Sequence, residues 1–231
     1  MDLLYIILVL PAIIFSLIAS AKVNSTYKKY SQIASRRGLT GADAAKSVLS
    51  ANGIYDVRIE HITGNLTDHY DPRNKVIRLS DSTYANSSVA AIGVAAHEAG
   101  HAVQHNVGYL PIKIRSAIIP ITNIGSKLAV PLILIGLILS GYGSFFITLA
   151  YVGVGCFALS TLFQLVTLPT EYNASSRAMA ALKEYNLLYT DELPAAKKVL
   201  SAAALTYVAA LAVSVTSLLR LLIMVSGSRR R

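Results

Sequence analysis

The chain has 231 residues, of which 54% are apolar and only 14% charged, where a soluble domain carries about a quarter charged residues. That balance excludes a disordered tail and argues against an ordinary soluble enzyme. The net charge of +9 does not point to nucleic acid, because the basic residues collect beside apolar segments rather than along a polar face with interleaved aromatics.

Residues 3–21 carry no charge and are long enough to cross about 30 Å of hydrocarbon as a helix. Asp2 precedes them and Lys22, Lys28, Lys29, Arg36 and Arg37 follow, the reverse of a secretory leader, so an uncleaved anchor with its N-terminus outside is expected. A more polar stretch follows, able to fold only a modest core by itself. It opens with a predicted helix over Gly41–Ala51, closed by Asn52 and Gly53 as left-handed stop residues. Residues 55–62 and 75–79 are β-branched and alternating, and Gly64-Asn65 and Asp71-Pro72 between them are turn signals, which predicts a strand pair. Within the connection, Asp68-His69-Tyr70-Asp71 is a polar cluster. His69 or Tyr70 would suit a donor to a developing oxyanion, but an ordinary turn before Pro72 is the simpler expectation.

A long helix is predicted over residues 87–106, begun by Asn86, Ser87 and Ser88. In its middle stand His97-Glu98-Ala99-Gly100-His101. The four-residue step puts both imidazoles on one face, a turn apart, where they can grip one metal ion. Glu98 lies about 100° around the axis, placed to act on a metal-bound water rather than to bind the metal. Two neutral imidazoles with a carboxylate suit Zn2+, one per chain, whose open fourth position takes a water and lowers its pKa to about 7. Glu98 would then serve as general base, taking the proton of the water that attacks a carbonyl and passing it to the leaving amine. Ala95, Ala96, Ala99, Gly100 and Ala102 line the helix and let neighbouring elements approach closely. His105 shares the face of His101 but stands one turn too far along for the same tetrahedron, and is expected to be structural or exposed.

No acidic residue lies between Glu98 and Glu171. Residues 128–170 carry no charge at all, and as one helix they would be about 64 Å long, roughly twice what the bilayer requires. They must turn back, and Gly141-Tyr142-Gly143-Ser144 is the permissive break, giving spans at about residues 121–140 and 145–168 with Lys127 snorkelling to the inner face. Cys156, the single cysteine, falls in this run, which excludes a disulfide framework or Cys-rich finger and makes it a small buried hydrophobe.

The gap in acids also selects the third ligand. A glutamate some twenty residues beyond His101 is impossible, and the metzincin pattern fails at Gln104 and Val107. Glu171 is the first acid downstream, in a helix expected to start at Pro169 and Thr170 as the chain leaves the membrane. Ala174, Ala178 and Ala181 follow at helical spacing, a thin face for the Ala/Gly side of the active helix, while Glu184, Asp191 and Glu192 read as solvated surface. A single crossing of residues 128–170 would leave Glu171 on the opposite side from His97 and His101, so the hairpin and the metal site stand or fall together. A fourth span is predicted over residues 199–219, ending at Arg220. The basic residues near span ends put the polar segments in the cytoplasm, opposed only by Arg220, Arg229, Arg230 and Arg231.

With these residues in hand, the chain resembles the YugP-like family of membrane-bound neutral zinc metallopeptidases. The resemblance rests on Leu66-Thr67-Asp68-His69-Tyr70-Asp71-Pro72, on Gly93-Val94-Ala95-Ala96-His97-Glu98-Ala99-Gly100-His101, and on residues 163–169 running into Glu171-Tyr172-Asn173-Ala174-Ser175. The layout is more distantly similar to the heat-shock membrane protease HtpX and the CAAX prenyl endopeptidases, in which a glutamate of an ExxAD motif joins HExxH. That resemblance implies Glu171 as ligand and Ala174 as the alanine, but Ser175 replaces the acid and can orient a histidine only as a neutral partner. Arg177 is a second candidate for stabilising the oxyanion.

The expected architecture is a mainly α membrane protein with about four transmembrane helices and a small cytoplasmic zincin-like α+β segment carrying the HExxH helix. Its parts are an anchor (1–21), the zincin-like segment (22–116), a transmembrane hairpin (117–169), a cytoplasmic helix with the third ligand (170–198), and a C-terminal span with a short basic tail (199–231). The expected function is a multi-pass metalloendopeptidase of the cell membrane, acting at the cytoplasmic face on membrane or membrane-proximal protein segments. Its metal ligands are His97, His101 and Glu171, its general base is Glu98, and its partners are a peptide substrate and the bilayer, without nucleic acid. Two alternatives compete: a catalytically silent zinc-binding scaffold, which would not need Glu98, and an intramembrane site-2-type protease, which would need an Asp-Gly motif that does not occur.

Overall fold

Residues 3–228 are described in the computed structural model; Asp2, Arg229, Arg230 and Arg231, used above for orientation, lie outside them. The long uncharged stretches dictate the main elements. A π-helical turn, Tyr5–Val9, leads into α1 (Leu10–Tyr30), and α4 (Leu110–Ile138), α5 (Ser144–Glu184) and α6 (Leu193–Ser228) follow the polar segment. All four are long and apolar enough to cross a membrane.

Each helix is longer than its apolar stretch predicts, because helix-favouring residues carry the hydrogen-bonded ladder past the last uncharged position. Thus α1 includes Lys22, Lys28 and Lys29, and Arg220 lies inside α6, its guanidinium 5.3 Å from the Tyr5 ring centroid. The break between α4 and α5 falls where the glycines predict it, in a 3-10 turn, Ser140–Tyr142, followed by Gly143 at φ 150°. The start of a new helix at Pro169 is not observed. α5 runs straight through, with Pro169 inside it; proline removes one backbone donor and interrupts the ladder locally, but the flanking residues hold the helix on both sides.

The chain divides into two compact units. The first comprises the described parts of Met1–Ile18, Ile114–Leu168 and Thr206–Arg231. Small residues set its helix spacing: a Cβ on Gly136 would meet the Ala150 backbone nitrogen at 2.5 Å, and one on Gly153 the Ala129 carbonyl at 2.8 Å. Such close backbone approach is how helices associate in lipid, where apolar side chains gain nothing by leaving their solvent. Thr161 and Ser214 share a hydroxyl bond of 2.8 Å, and Ile133, Ala150, Val154 and Val225 form the buried cluster. Cys156, expected to be buried, is half-buried here, since much of each helix faces outward.

The second unit, Ala19–Lys113 with Pro169–Leu205, holds the polar segment. Thr40 begins α2 (Gly41–Ala51) with a capping box to Asp43, which satisfies orphan N–H groups at the helix start. At its end only Gly53 is left-handed, at φ 67°; Asn52 stays at φ −100°. The expected strand pair is a three-stranded sheet in the order β1-β3-β2, made by β1 (Arg58–Ile62), β2 (His69–Asp71) and β3 (Val76–Ser80). β1 and β3 pair in parallel, Arg58 opposite Val76, and β2 pairs antiparallel with β3, His69 opposite Arg78. The segment expected to be a turn before Pro72 is therefore a strand. Three residues are too few for alternation to show, and their pairing is supplied by β3 from across the hairpin.

α3 (Val89–Asn106) begins at Ser88, whose hydroxyl accepts from the Ala91 N–H at 3.2 Å. Its Ala90, Ala95, Ala96 and Ala99 are fully buried, in one core with α2, Ile77 and Leu79 of β3, Leu182 of α5 and Ala196 of α6. A Cβ on Gly100 would lie 2.8 Å from the Ala174 carbonyl oxygen, so only glycine lets α5 come this close. Ala174, Ala178 and Ala181 are all buried there. Glu192, read as solvated surface, is buried instead: its carboxylate accepts from the Arg36 N–H at 2.9 Å and the Tyr189 N–H at 2.8 Å, tying the loop before α6 to the connection between α1 and α2. Its long-range partner, Arg36, is what local sequence could not show. Glu184 and Asp191 are exposed as expected.

Candidate metal centre

The helical step brings His97 and His101 onto one face of α3, with ring centroids 4.8 Å apart and edge to face. Opposite them α5 presents Glu171, only 2% exposed. Its Oε2 lies 3.2 Å from His97 Nε2 and 3.4 Å from His101 Nε2, and one ligand atom from each residue falls within 4.8 Å of the others. The close packing of Gly100 against Ala174 and the buried alanines of both helices place this carboxylate between the two rings.

The far nitrogens of the rings are also held. Ser175 Oγ lies 3.1 Å from His97 Nδ1, and Gln104 Oε1 3.0 Å from His101 Nδ1. The amide of Gln104 has one possible orientation, because its Nε2 donates to the Thr170 carbonyl at 2.8 Å and to Asn173 Oδ1 at 3.0 Å. Its oxygen must therefore accept from His101 Nδ1–H, so that Nε2, on the side of Glu171, carries the lone pair in the neutral ring and donates to the carboxylate in the charged one. Gln104 is fully buried, and it joins the last turns of α3 to the α5 segment bearing the acid. Burial disfavours the charged form of His101, but the Glu171 carboxylate and nearby Glu98 outweigh it and raise its pKa above the usual histidine value. Glu98 is itself buried, at 9% exposure, beside this group.

Several other candidates stand apart. His105 packs its ring 5.6 Å from Tyr70, one turn beyond the cluster. Tyr70 is held by β2 against α3, and burial, with Asp56 and Asp71 nearby, pushes its hydroxyl pKa up. His69 receives local contacts, its Nδ1 2.9 Å from the Thr67 carbonyl, and Asp68 accepts from the N–H of Ser80 at 2.8 Å. Arg177 donates from Nε to Asn173 Oδ1 at 2.8 Å, and so buttresses the Gln104 network. Gln104 and Asn173 are the site residues that reading the sequence missed. Their signal was a lone amide three residues after His101 on an alanine-lined face, facing an asparagine two residues after the acid.

His97, His101 and Glu171 could hold a metal ion, and comparison with known proteins shows the family. The family described as "Putative neutral zinc metallopeptidase" matches residues 5–226, and this chain belongs to it. It is 43% identical over 226 residues, 98% of each chain, to the "Putative membrane protease YugP" of Bacillus subtilis (strain 168). No solved structure matches.

Proposed function

We propose that this chain is a multi-pass zinc endopeptidase of the cell membrane, cutting membrane or membrane-proximal protein segments at the cytoplasmic face. The observation that carries this reading is the convergence of two imidazole Nε2 atoms on one buried carboxylate oxygen, next to a second buried carboxylate, Glu98. The residues fit a zinc ion. Glu171 Oε2 stands 3.2 and 3.4 Å from the two histidine Nε2 atoms, close to the roughly 3.3–3.4 Å between two ligand atoms that are each about 2.0–2.1 Å from a tetrahedral zinc. Backing of each ring at Nδ1 is the usual support of a metal-binding histidine.

His97, His101 and Glu171 would hold the metal. When bound, zinc supplies a Lewis acid that acidifies a water and polarises the scissile carbonyl. Glu98 takes the proton from the attacking water and returns it to the leaving amine, a transfer that its burial beside the cluster favours. Ser175 and Gln104 keep the imidazoles in the orientation that leaves Nε2 free, Ser175 as a neutral partner where related enzymes carry an acid. In this reading residues 22–116 and 170–198 form the zincin-like cytoplasmic part around the HExxH helix, and the excess of lysine and arginine beside the spans sets the orientation.

The test compares the purified protein in detergent with its Glu98→Gln variant, for zinc content and casein cleavage. The variant should keep one zinc per chain and lose hydrolysis by about a hundredfold or more, because the base is not a ligand. Full activity in Glu98→Gln would remove the mechanism, and zinc binding without hydrolysis in the unaltered protein would leave a silent scaffold.

A further inference from the structure

A second site lies in the same unit, away from the histidines. The N-terminal turns of α6 and the last turns of α1 enclose a cavity of about 810 Å³. Four lysines line it, Lys22 and Lys29 from α1 and Lys197 and Lys198 from α6, and no acidic residue does. Among the described residues none of the four takes part in an ion pair; Lys29 has only the face of Tyr30, 5.6 Å away. Four unneutralised ammonium groups around one cavity repel each other and form a concentrated positive field. The hydroxyls of Thr26 and Ser201 add donors to the wall. The polar side chains of the wall can thus supply protons to an anion, Ser25 excepted, whose hydroxyl donates to the Lys22 carbonyl.

The position of the cavity along the chain identifies that anion. Lys22 is the first charged residue after the uncharged run of α1, and Lys198 is the last before the uncharged run of α6. Ala202 and Leu205, which lie within that second run, supply apolar wall to the same cavity. A ligand matching both ends must carry negative charge at one end and hydrocarbon at the other, at the depth where a bilayer changes from headgroup to acyl chain. Basic pockets between membrane helices hold anionic lipid headgroups by this chemistry. We propose that this cavity binds the phosphate headgroup of one anionic phospholipid, with an acyl chain lying along Ala202 and Leu205. Such binding needs no hydrolytic activity.

The experiment uses the full chain, delipidated in a neutral detergent and mixed with phosphatidylglycerol or phosphatidylcholine, and native mass spectrometry counts the lipid retained. One phosphatidylglycerol per chain should be kept about tenfold more strongly than phosphatidylcholine, a difference that falls as salt is raised. Replacing Lys22, Lys29, Lys197 and Lys198 together by Gln should abolish the preference. Replacing the same four by Arg, which keeps the charge, should preserve it, and so should a control set outside the cavity, Lys28, Lys113, Lys127 and Lys183→Gln. If the Gln quartet does not fold, the pair Lys29→Gln and Lys197→Gln must lower the preference by at least threefold. Equal loss in the control set would mean diffuse surface charge and overturn the proposal. Displacement of the lipid by millimolar inorganic phosphate would overturn it too, by making the site one for free anions. So would a Gln quartet that keeps its lipid but loses cleavage of acidic peptides, since the lysines would then be reading substrate.

Discussion

The two units of this chain treat apolar residues in opposite ways. In the unit holding the histidines, Ile77, Leu79 and Ile92 are fully buried, whereas in the other unit Leu17, Ile138 and Phe145 stand 65%, 74% and 69% exposed on the outside of long helices. The polar groups reverse as well. In the apolar unit the hydroxyls of Ser140, Thr148 and Thr216 bond back to carbonyls three or four residues earlier in sequence. In the other unit Gln104 reaches Thr170 and Asn173 across the core, and Glu171 reaches both histidines. The bonded hydroxyls of the apolar unit thus turn mainly to their own helices, with Thr161 and Ser214 as a cross-helix pair, whereas the other unit joins groups far apart in sequence. The metal centre belongs to the second kind of construction.

Removing the distant acid should break that distinction most completely. Glu171→Ala leaves two imidazoles and should lose nearly all bound zinc and about a hundredfold or more of any hydrolysis, whereas Glu184→Ala, on the same helix but exposed, should lose neither. Zinc retained in Glu171→Ala would send the search for the third ligand back to Asp68 or Asp71.

Closely packed glycines occur in both units and offer a sharper comparison. Gly100→Ala would push α3 off the Ala174 carbonyl and move both histidines relative to Glu171, so zinc affinity should fall by about tenfold or more. Gly136→Ala meets backbone even more closely, at 2.5 Å against 2.8 Å, and should cost about 1–3 kcal/mol of stability through overpacking, with zinc stoichiometry unchanged. Equal metal loss in both would erase the distinction; metal titration and thermal denaturation in detergent separate them.

The two histidine supports differ more finely. Gln104→Ala removes a fully buried amide that makes three bonds, and should weaken zinc binding by about 10–100-fold, while Ser175→Ala, losing one neutral partner, should fall at or below the lower end of that range. Competition against a chelator of known affinity would rank them, and the reverse order would put the controlling contact at His97.

The smallest effect lies at the edge of the sheet. The Asn74 side chain, together with the Arg73 and Asn74 N–H groups and the Arg78 guanidinium, holds the Asp71 carboxyl down to about 2. A carboxyl depressed on folding stabilises above its unfolded value of about 3.9, and that contribution fades as pH falls through the folded value. Asp71→Asn should therefore melt slightly below the unaltered protein near neutrality, with the gap closing between about pH 4 and pH 2. A gap that does not change with pH would remove the carboxylate from the account of this turn.

Much of this arrangement is legible along the chain. The bounds of α2, the helix carrying His97 and His101, and the glycine break at residues 141–143 follow from rules that act over a few residues: capping, helical periodicity and the left-handed freedom of glycine. Even Glu171 is singled out, because no other acid follows Glu98 for the length of two spans. What local rules could not supply is whatever depends on a partner far away in sequence. β2 is a strand because β3 pairs with it, and Glu192 is buried because Arg36 meets it. Gln104 reads as an ordinary helical residue until α5 brings Thr170 and Asn173 against it. Sequence alone determined which side chains could bind a metal and how the apolar runs must turn, since periodicity and hydropathy are properties of neighbours. Only the tertiary structure decided how those side chains are aimed and held, since a hydrogen bond between residues 104 and 173 exists only once the chain has folded back on itself.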